Sequence, residues 1–147
     1  MTKKVSRMLT TCSAADIYDL TRAMPEGAHL ELGALMSAVP AARTWARVLW
    51  SGWGLARLAD DAGLVLSELV TNSLLHAFGR TVDIWLRSDR ESLAIMVGDP
   101  CPDMPAVAET EDDYELSGRG LIIVSVLAEH WGAYRVPLGK VVWAVLT

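Results

Sequence analysis

Glu68 and Asn72 are the first residues from which chemistry can be argued. They lie four apart in Leu64-Val65-Leu66-Ser67-Glu68-Leu69-Val70-Thr71-Asn72, within a periodic stretch that predicts a helix from Ala56 to Phe78, ended by Gly79. At about 100° per residue, Leu64, Leu75, Glu68, Asn72, Val65 and Leu69 follow one another across roughly 140° of the helix surface. The two polar side chains therefore sit side by side in an apolar arc. Leu66, Val70 and Leu74 form a second apolar arc, so the helix is expected to be covered on more than one side, with Ser67 and Thr71 as a solvated strip. A carboxylate and an amide between apolar walls are costly unless something satisfies them. A buried Glu–Asn hydrogen bond would do so, and so would a helix rotated enough to wet both. The functional alternative is a carboxylate that orients or deprotonates a nucleophile, beside an amide oxygen that coordinates a hard cation such as Mg²⁺.

Two later positions extend this chemistry. Asp99 follows an apolar run in Val97-Gly98-Asp99-Pro100-Cys101-Pro102. Asp-Pro is a common turn pair, and its functional use would be to accept a hydrogen bond from an exocyclic amine such as that of adenine. Gly118-Arg119-Gly120 opens an apolar segment, Leu121–Glu129, where backbone N–H groups at a helix start can face phosphate oxygens. Gly-x-Gly alone is a weak signal; the chain order of the three sites makes them a set. The connection of about 15 residues between them is longer than most structural loops and suits a lid. His76, at a helix end, is better explained as a cap for carbonyls than as a ligand.

The elements that must position these groups follow from pattern. Residues 1–27 have weak periodicity and the breakers Pro25 and Gly27, and read as a flexible arm with a short helix through Ala14–Ala23. His29-Leu30-Glu31-Leu32 alternates as an edge strand. Ser37 is placed to cap a helix running to Trp50, which Gly52-Trp53-Gly54 breaks. Thr81–Arg87 and Ser92–Val97 read as strands, and Gly132–Val136 and Lys140–Leu146 as a closing hairpin around Pro137-Leu138-Gly139. The expected fold class is α+β: helices on one face of a mixed, mainly antiparallel sheet.

The composition sets outer bounds. Hydrophobic residues are 52% and charged residues 21% of 147, a globular balance sufficient for one core. The net charge of −5 argues against general nucleic-acid affinity or an anionic membrane surface. Seven of the 18 acids lie within Asp99–Glu115, a stretch without Lys or Arg. The excess acidity therefore falls mostly on the expected lid. Cys12 and Cys101 are isolated, His29, His76 and His130 show no zinc spacing, and no apolar run reaches a membrane span. The expectation is a cytoplasmic protein without a structural metal. Six tryptophans are read as core, with Trp50 and Trp53 considered for a partner surface; Arg43 and Arg47 are read as a solvated helix face, with an acidic partner as the alternative.

Glu68-Leu69-Val70-Thr71-Asn72 with His76-Ala77 resembles the N box of the GHKL (Bergerat-fold) ATPase superfamily, and more narrowly its anti-sigma-factor serine/threonine kinase branch. Asp99-Pro100-Cys101-Pro102, Gly118-Arg119-Gly120-Leu121 and Gly139-Lys140-Val141-Val142-Trp143 follow in that family's order, and the match covers residues 28–147. The resemblance implies a two-layer α/β sandwich of Bergerat type that binds ATP and Mg²⁺. It implies Asn72 as the magnesium ligand and Glu68 as the general base. Asp99 would bind the adenine amine, Gly118, Arg119, Gly120 and Leu121 the phosphates, and His76 the N-box end. It also implies a sigma factor and an anti-anti-sigma antagonist as partners, with a possible homodimer. A nucleotide-gated binding protein without kinase activity is the alternative. Two departures bear on activity. Cys101 stands where the superfamily often has Gly, and Val141 where the branch often has Thr, a hydroxyl expected to help hold the aspartate or its water.

Overall fold

The computed structural model describes residues 14–77, 80–101 and 118–147. Helix α1 (Ala14–Thr21) precedes strand β1 (Glu26–Gly33), followed by α2 (Ala38–Gly52) and a 3-10 turn, Ala56–Leu58. The turn runs directly into α3 (Ala59–Ala77), after which come β2 (Thr81–Ser88) and β3 (Leu93–Asp99). Helix α4 (Gly118–Leu127) and the hairpin β4 (His130–Val136) and β5 (Gly139–Leu146) complete the order.

The five strands form one sheet in the order β1-β2-β3-β5-β4. Every neighbouring pair is antiparallel, which corrects the expectation of a mixed sheet. The reason is topological. The crossover through α4 returns β4 in the direction of β3, but the tight hairpin then lays β5 between them.

Strand alternation assigns the faces. Val82, Ile84 and Leu86 of β2 are fully buried beneath the helices, while Asp83, Trp85 and Arg87 alternate onto the opposite face. Paired strands carry the same division, so Leu93, Ile95 and Val97 of β3 and Val142, Ala144 and Leu146 of β5 join the helical side. Ala42, Ala46 and Trp50 recur along α2 and meet Val65, Leu66, Leu69 and Val70 of α3 in that core. Helix α3 packs against α2, α4 and the sheet together, which accounts for its two apolar arcs. Asp60 and Asp61 in its first turn suit the positive end of the helix dipole.

Several local expectations need correction. Ser37 lies at the start of α2 in helical conformation and makes no side-chain capping bond. The chain leaves α2 through Gly54, at φ 78°, a left-handed turn that glycine adopts without strain. Ser67 and Thr71 are half-buried, and their hydroxyls donate to the carbonyls of Gly63 and Ser67 one turn back. Residues 14–27, read as part of an arm, have a defined place: Ile17 and Met24 are 3% exposed and pack on Ala94, Trp143 and Val145, on the sheet face away from the other helices. Residues 1–13 lie outside the described ones. Trp50 is fully buried and offers no partner surface, whereas Trp53 is half-buried against the core. Arg47 pairs with Asp60 at 3.1 Å, an intramolecular partner where an acidic protein was considered.

Candidate functional site

The site is built where α3, the start of α4 and the end of β3 converge. Glu68 and Asn72 are both half-buried on the flank of α3. Their neighbours on one side, Leu64 and Leu75, are 50% and 45% exposed, while Val65 and Leu69 on the other side are sealed in the core. The arc that sequence periodicity treats as uniformly apolar is thus a border, with the polar pair along its edge. That placement removes the desolvation cost of fully burying a carboxylate and an amide.

Helix α4 approaches this edge at its first turn. A Cβ on Gly120 would lie 2.5 Å from Glu68 Oε2 and 3.4 Å from Glu68 Cβ, so only glycine admits the carboxylate this close to the α4 backbone. The positive end of the helix dipole favours negative charge at this point. Leu121, fully buried, anchors the turn in the core, and Ser125 Oγ donates to its carbonyl at 2.7 Å. Gly118 and Arg119 are the first two residues of α4, and His76 lies in the last turn of α3. The side chains of Arg119 and His76, and the expected acidic lid over residues 102–117, lie outside the described residues.

At the other end of the site Asp99 closes β3, directly opposite Lys140 on β5. Lys140 Nζ donates to Asp99 Oδ1 at 3.0 Å and to the Cys101 carbonyl at 3.0 Å. The Cys101 backbone N–H donates to the same Oδ1 at 2.8 Å, and Ser73 Oγ donates to Oδ2 at 3.2 Å. The Lys140 and Asp99 side chains are only 4% and 1% exposed, so this is a buried, closely satisfied ion pair. Ser73 follows Asn72 on α3, which ties the helix to the strand end. Gly139 fits against the same corner: a Cβ there would fall 1.9 Å from the Asp99 carbonyl oxygen.

Two residues flagged as departures take on different roles. Cys101 shapes the corner through its backbone N–H and carbonyl. Val141 pairs with Gly98, and its side chain is on the opposite sheet face beside Trp85, Met96 and Tyr134. A hydroxyl at 141 would therefore not reach the Asp99 carboxylate; the residue that does is Lys140. Sequence reasoning noted Gly139 and Lys140 in a family-like motif without giving either a role in the site, and missed Ser73. Ser73 had a usable signal, since the helical arc that singles out Glu68 and Asn72 also places this hydroxyl beside Leu69.

Among the described residues no group of three or more His, Cys, Asp or Glu side chains is gathered to hold a metal. No described helix is long and apolar enough to cross a membrane. No curated protein matches the chain. The profile of the histidine kinase-like ATPase domain matches residues 32–146. That span contains α2 to α4, most of the sheet and every site residue described above. The chain belongs to the histidine kinase-like ATPase domain family, an ATP-binding fold.

Proposed function

We propose that this protein binds ATP with Mg²⁺ and transfers the γ-phosphoryl group to a serine or threonine of an antagonist protein, in the manner of anti-sigma-factor kinases. The observation that carries the reading is the approach of Glu68 Oε2 to Gly120 at the start of α4, with Asn72 one turn further along the same flank. A base then faces a helix start suited to phosphate, with an amide one turn away on the same helix.

The residues present fit such a ligand. Asn72 supplies one neutral oxygen, which suits Mg²⁺ held largely by phosphate oxygens and water. Gly118, Arg119, Gly120 and Leu121 open the helix toward the phosphates, with His76 at the end of α3. Among the described residues Ser73 donates to Asp99 Oδ2, which leaves an acceptor position there for the adenine amine. Bound ATP supplies the activated phosphoryl group. Glu68 accepts the proton of the attacking hydroxyl, while the first turn of α4 holds the phosphates in line.

In this reading the protein is cytoplasmic, sequesters a sigma factor, is displaced by the anti-anti-sigma antagonist it phosphorylates, and can act as a homodimer. A nucleotide-gated binding protein without transfer activity is the second reading. It is favoured by the sealed Asp99–Lys140 corner, a fixed ion pair that has no part in moving a proton or a phosphoryl group. Glu68→Ala separates the two. A kinase variant keeps ATP binding and loses phosphoserine or phosphothreonine on proteins captured in the presence of ATP. A gated binder shows the same ATP-dependent capture with and without Glu68, and no phosphorylation in either case.

A further inference from the structure

The Asp99 carboxylate has less free capacity than its location at a strand end implies. Each carboxylate oxygen offers about two acceptor positions. Among the described residues, Oδ1 receives Lys140 Nζ and the Cys101 N–H, which fills it, and Oδ2 receives Ser73 Oγ, which leaves one position. Lys140 is held from its other side by the Cys101 carbonyl. The carboxylate cannot turn without breaking an ion pair that is almost wholly out of water.

We propose that Lys140 is a specificity-determining positioning residue. By fixing Asp99 Oδ1 it reduces the carboxylate to a single acceptor, which selects a purine offering one exocyclic amine. The inference rests on the reading of Asp99 as the contact to the nucleotide base. Adenine presents a 6-amino donor. Hypoxanthine presents an oxygen at that position, acceptor against acceptor. Guanine presents neighbouring N1–H and 2-amino donors, which match two free carboxylate oxygens and find only one. A polar group stranded in a dry site costs more than a contact merely absent.

Lys140 also dictates how an amide at position 99 would face. In Asp99→Asn, the donors Lys140 Nζ and Cys101 N–H retain the amide oxygen where Oδ1 now lies. The NH₂ then occupies the Oδ2 position, and the Ser73 hydroxyl turns to accept from it. The port to the base changes from acceptor to donor and suits a 6-oxopurine.

Calorimetric titration of the full chain with the Mg²⁺ complexes of ATP and inosine triphosphate tests this. The wild type should favour ATP by about 100-fold. Asp99→Asn should reverse the order, and Asp99→Asn with Lys140→Met should weaken that reversal by about tenfold, because the Cys101 N–H alone then orients the amide oxygen. Lys140→Arg, which keeps a donor to Oδ1, should retain the wild-type preference. Persistent ATP preference in Asp99→Asn, or equal inosine preference with and without Lys140, overturns the inference. Should Asp99→Asn fail to fold around a stranded cation, the double variant carries no buried charge at this corner, and wild-type discrimination by it overturns the inference. A wild type that binds neither nucleotide overturns the nucleotide reading itself, and this inference with it.

Discussion

The two acidic residues of the site are held in opposite ways. Glu68 lies half-buried on a helix flank, with exposed Leu64 and Leu75 to one side and a glycine of α4 against its carboxylate. Asp99 is sealed, its carboxylate bonded by a lysine, a backbone N–H and a serine. The first arrangement leaves a group room to reach a reactant. The second fixes one atom in space. A group that must take up a proton gains from access, whereas a group that must recognise a base gains from immobility. The difference assigns transfer to one end of the site and selection to the other, as proposed above.

Substitutions at the two ends should therefore fail differently. Lys140→Met leaves the Asp99 carboxylate buried without its counter-ion, and should lower stability by about 3–5 kcal/mol in denaturant unfolding. Restoring much of that loss with Asp99→Asn in the same chain would confirm that the stranded charge, and not lost packing, is the cause. Gly139→Ala comes next. Its new Cβ meets the backbone of Asp99 and Pro100, which cannot yield as a side-chain tip does, and the cost should be about 1–3 kcal/mol with weakened ATP binding.

Gly120→Ala provides the contrast. Its Cβ meets the far end of the Glu68 side chain, so stability should change by less than about 1 kcal/mol. Phosphoryl transfer should fall by about 100-fold, because the base is pushed from its place. Comparable stability losses in Gly139→Ala and Gly120→Ala would erase the distinction between the sealed end and the accessible end. The smallest effect is expected at Arg47→Ala, which removes an exposed pair with Asp60 and should leave the unfolding midpoint unchanged.

What was legible in the sequence was local. Periodicity located α3 and set Glu68 beside Asn72, because four residues on a helix are neighbours whatever the rest of the chain does. The hairpin and the central strands were legible for the same reason. The ion pair was not, because Asp99 and Lys140 come together through the register of β3 on β5, forty-one positions apart in the chain. In the sequence Lys140 belongs to a family-like motif, Gly139-Lys140-Val141-Val142-Trp143, but nothing there shows which carboxylate it meets. Gly139 was hidden likewise, its close approach being to a backbone brought in from β3. The apolar anchors of this segment are Ile17 in α1 and Met24 after it, too few positions to stand out in a weakly periodic stretch. The misread edge of α3 has a plain cause: a helical wheel places Leu64 and Leu75 next to Glu68 but does not tell which apolar side chains the sheet covers.

The central claim is that the flank of α3 and the corner of β3 form one site for ATP with Mg²⁺. The most direct measurement is the melting temperature of the full chain with ATP, alone and with Mg²⁺, for the wild type and for Asn72→Ala. Ligand at about 100 times its dissociation constant stabilises the folded state by about 2.7 kcal/mol, a clear upward shift for a domain of this size. The account predicts that ATP with Mg²⁺ raises the wild-type transition more than ATP alone, and that Asn72→Ala abolishes the magnesium-dependent part. A wild-type transition that neither nucleotide nor metal moves, or an Asn72→Ala chain that keeps the full magnesium response, would contradict it.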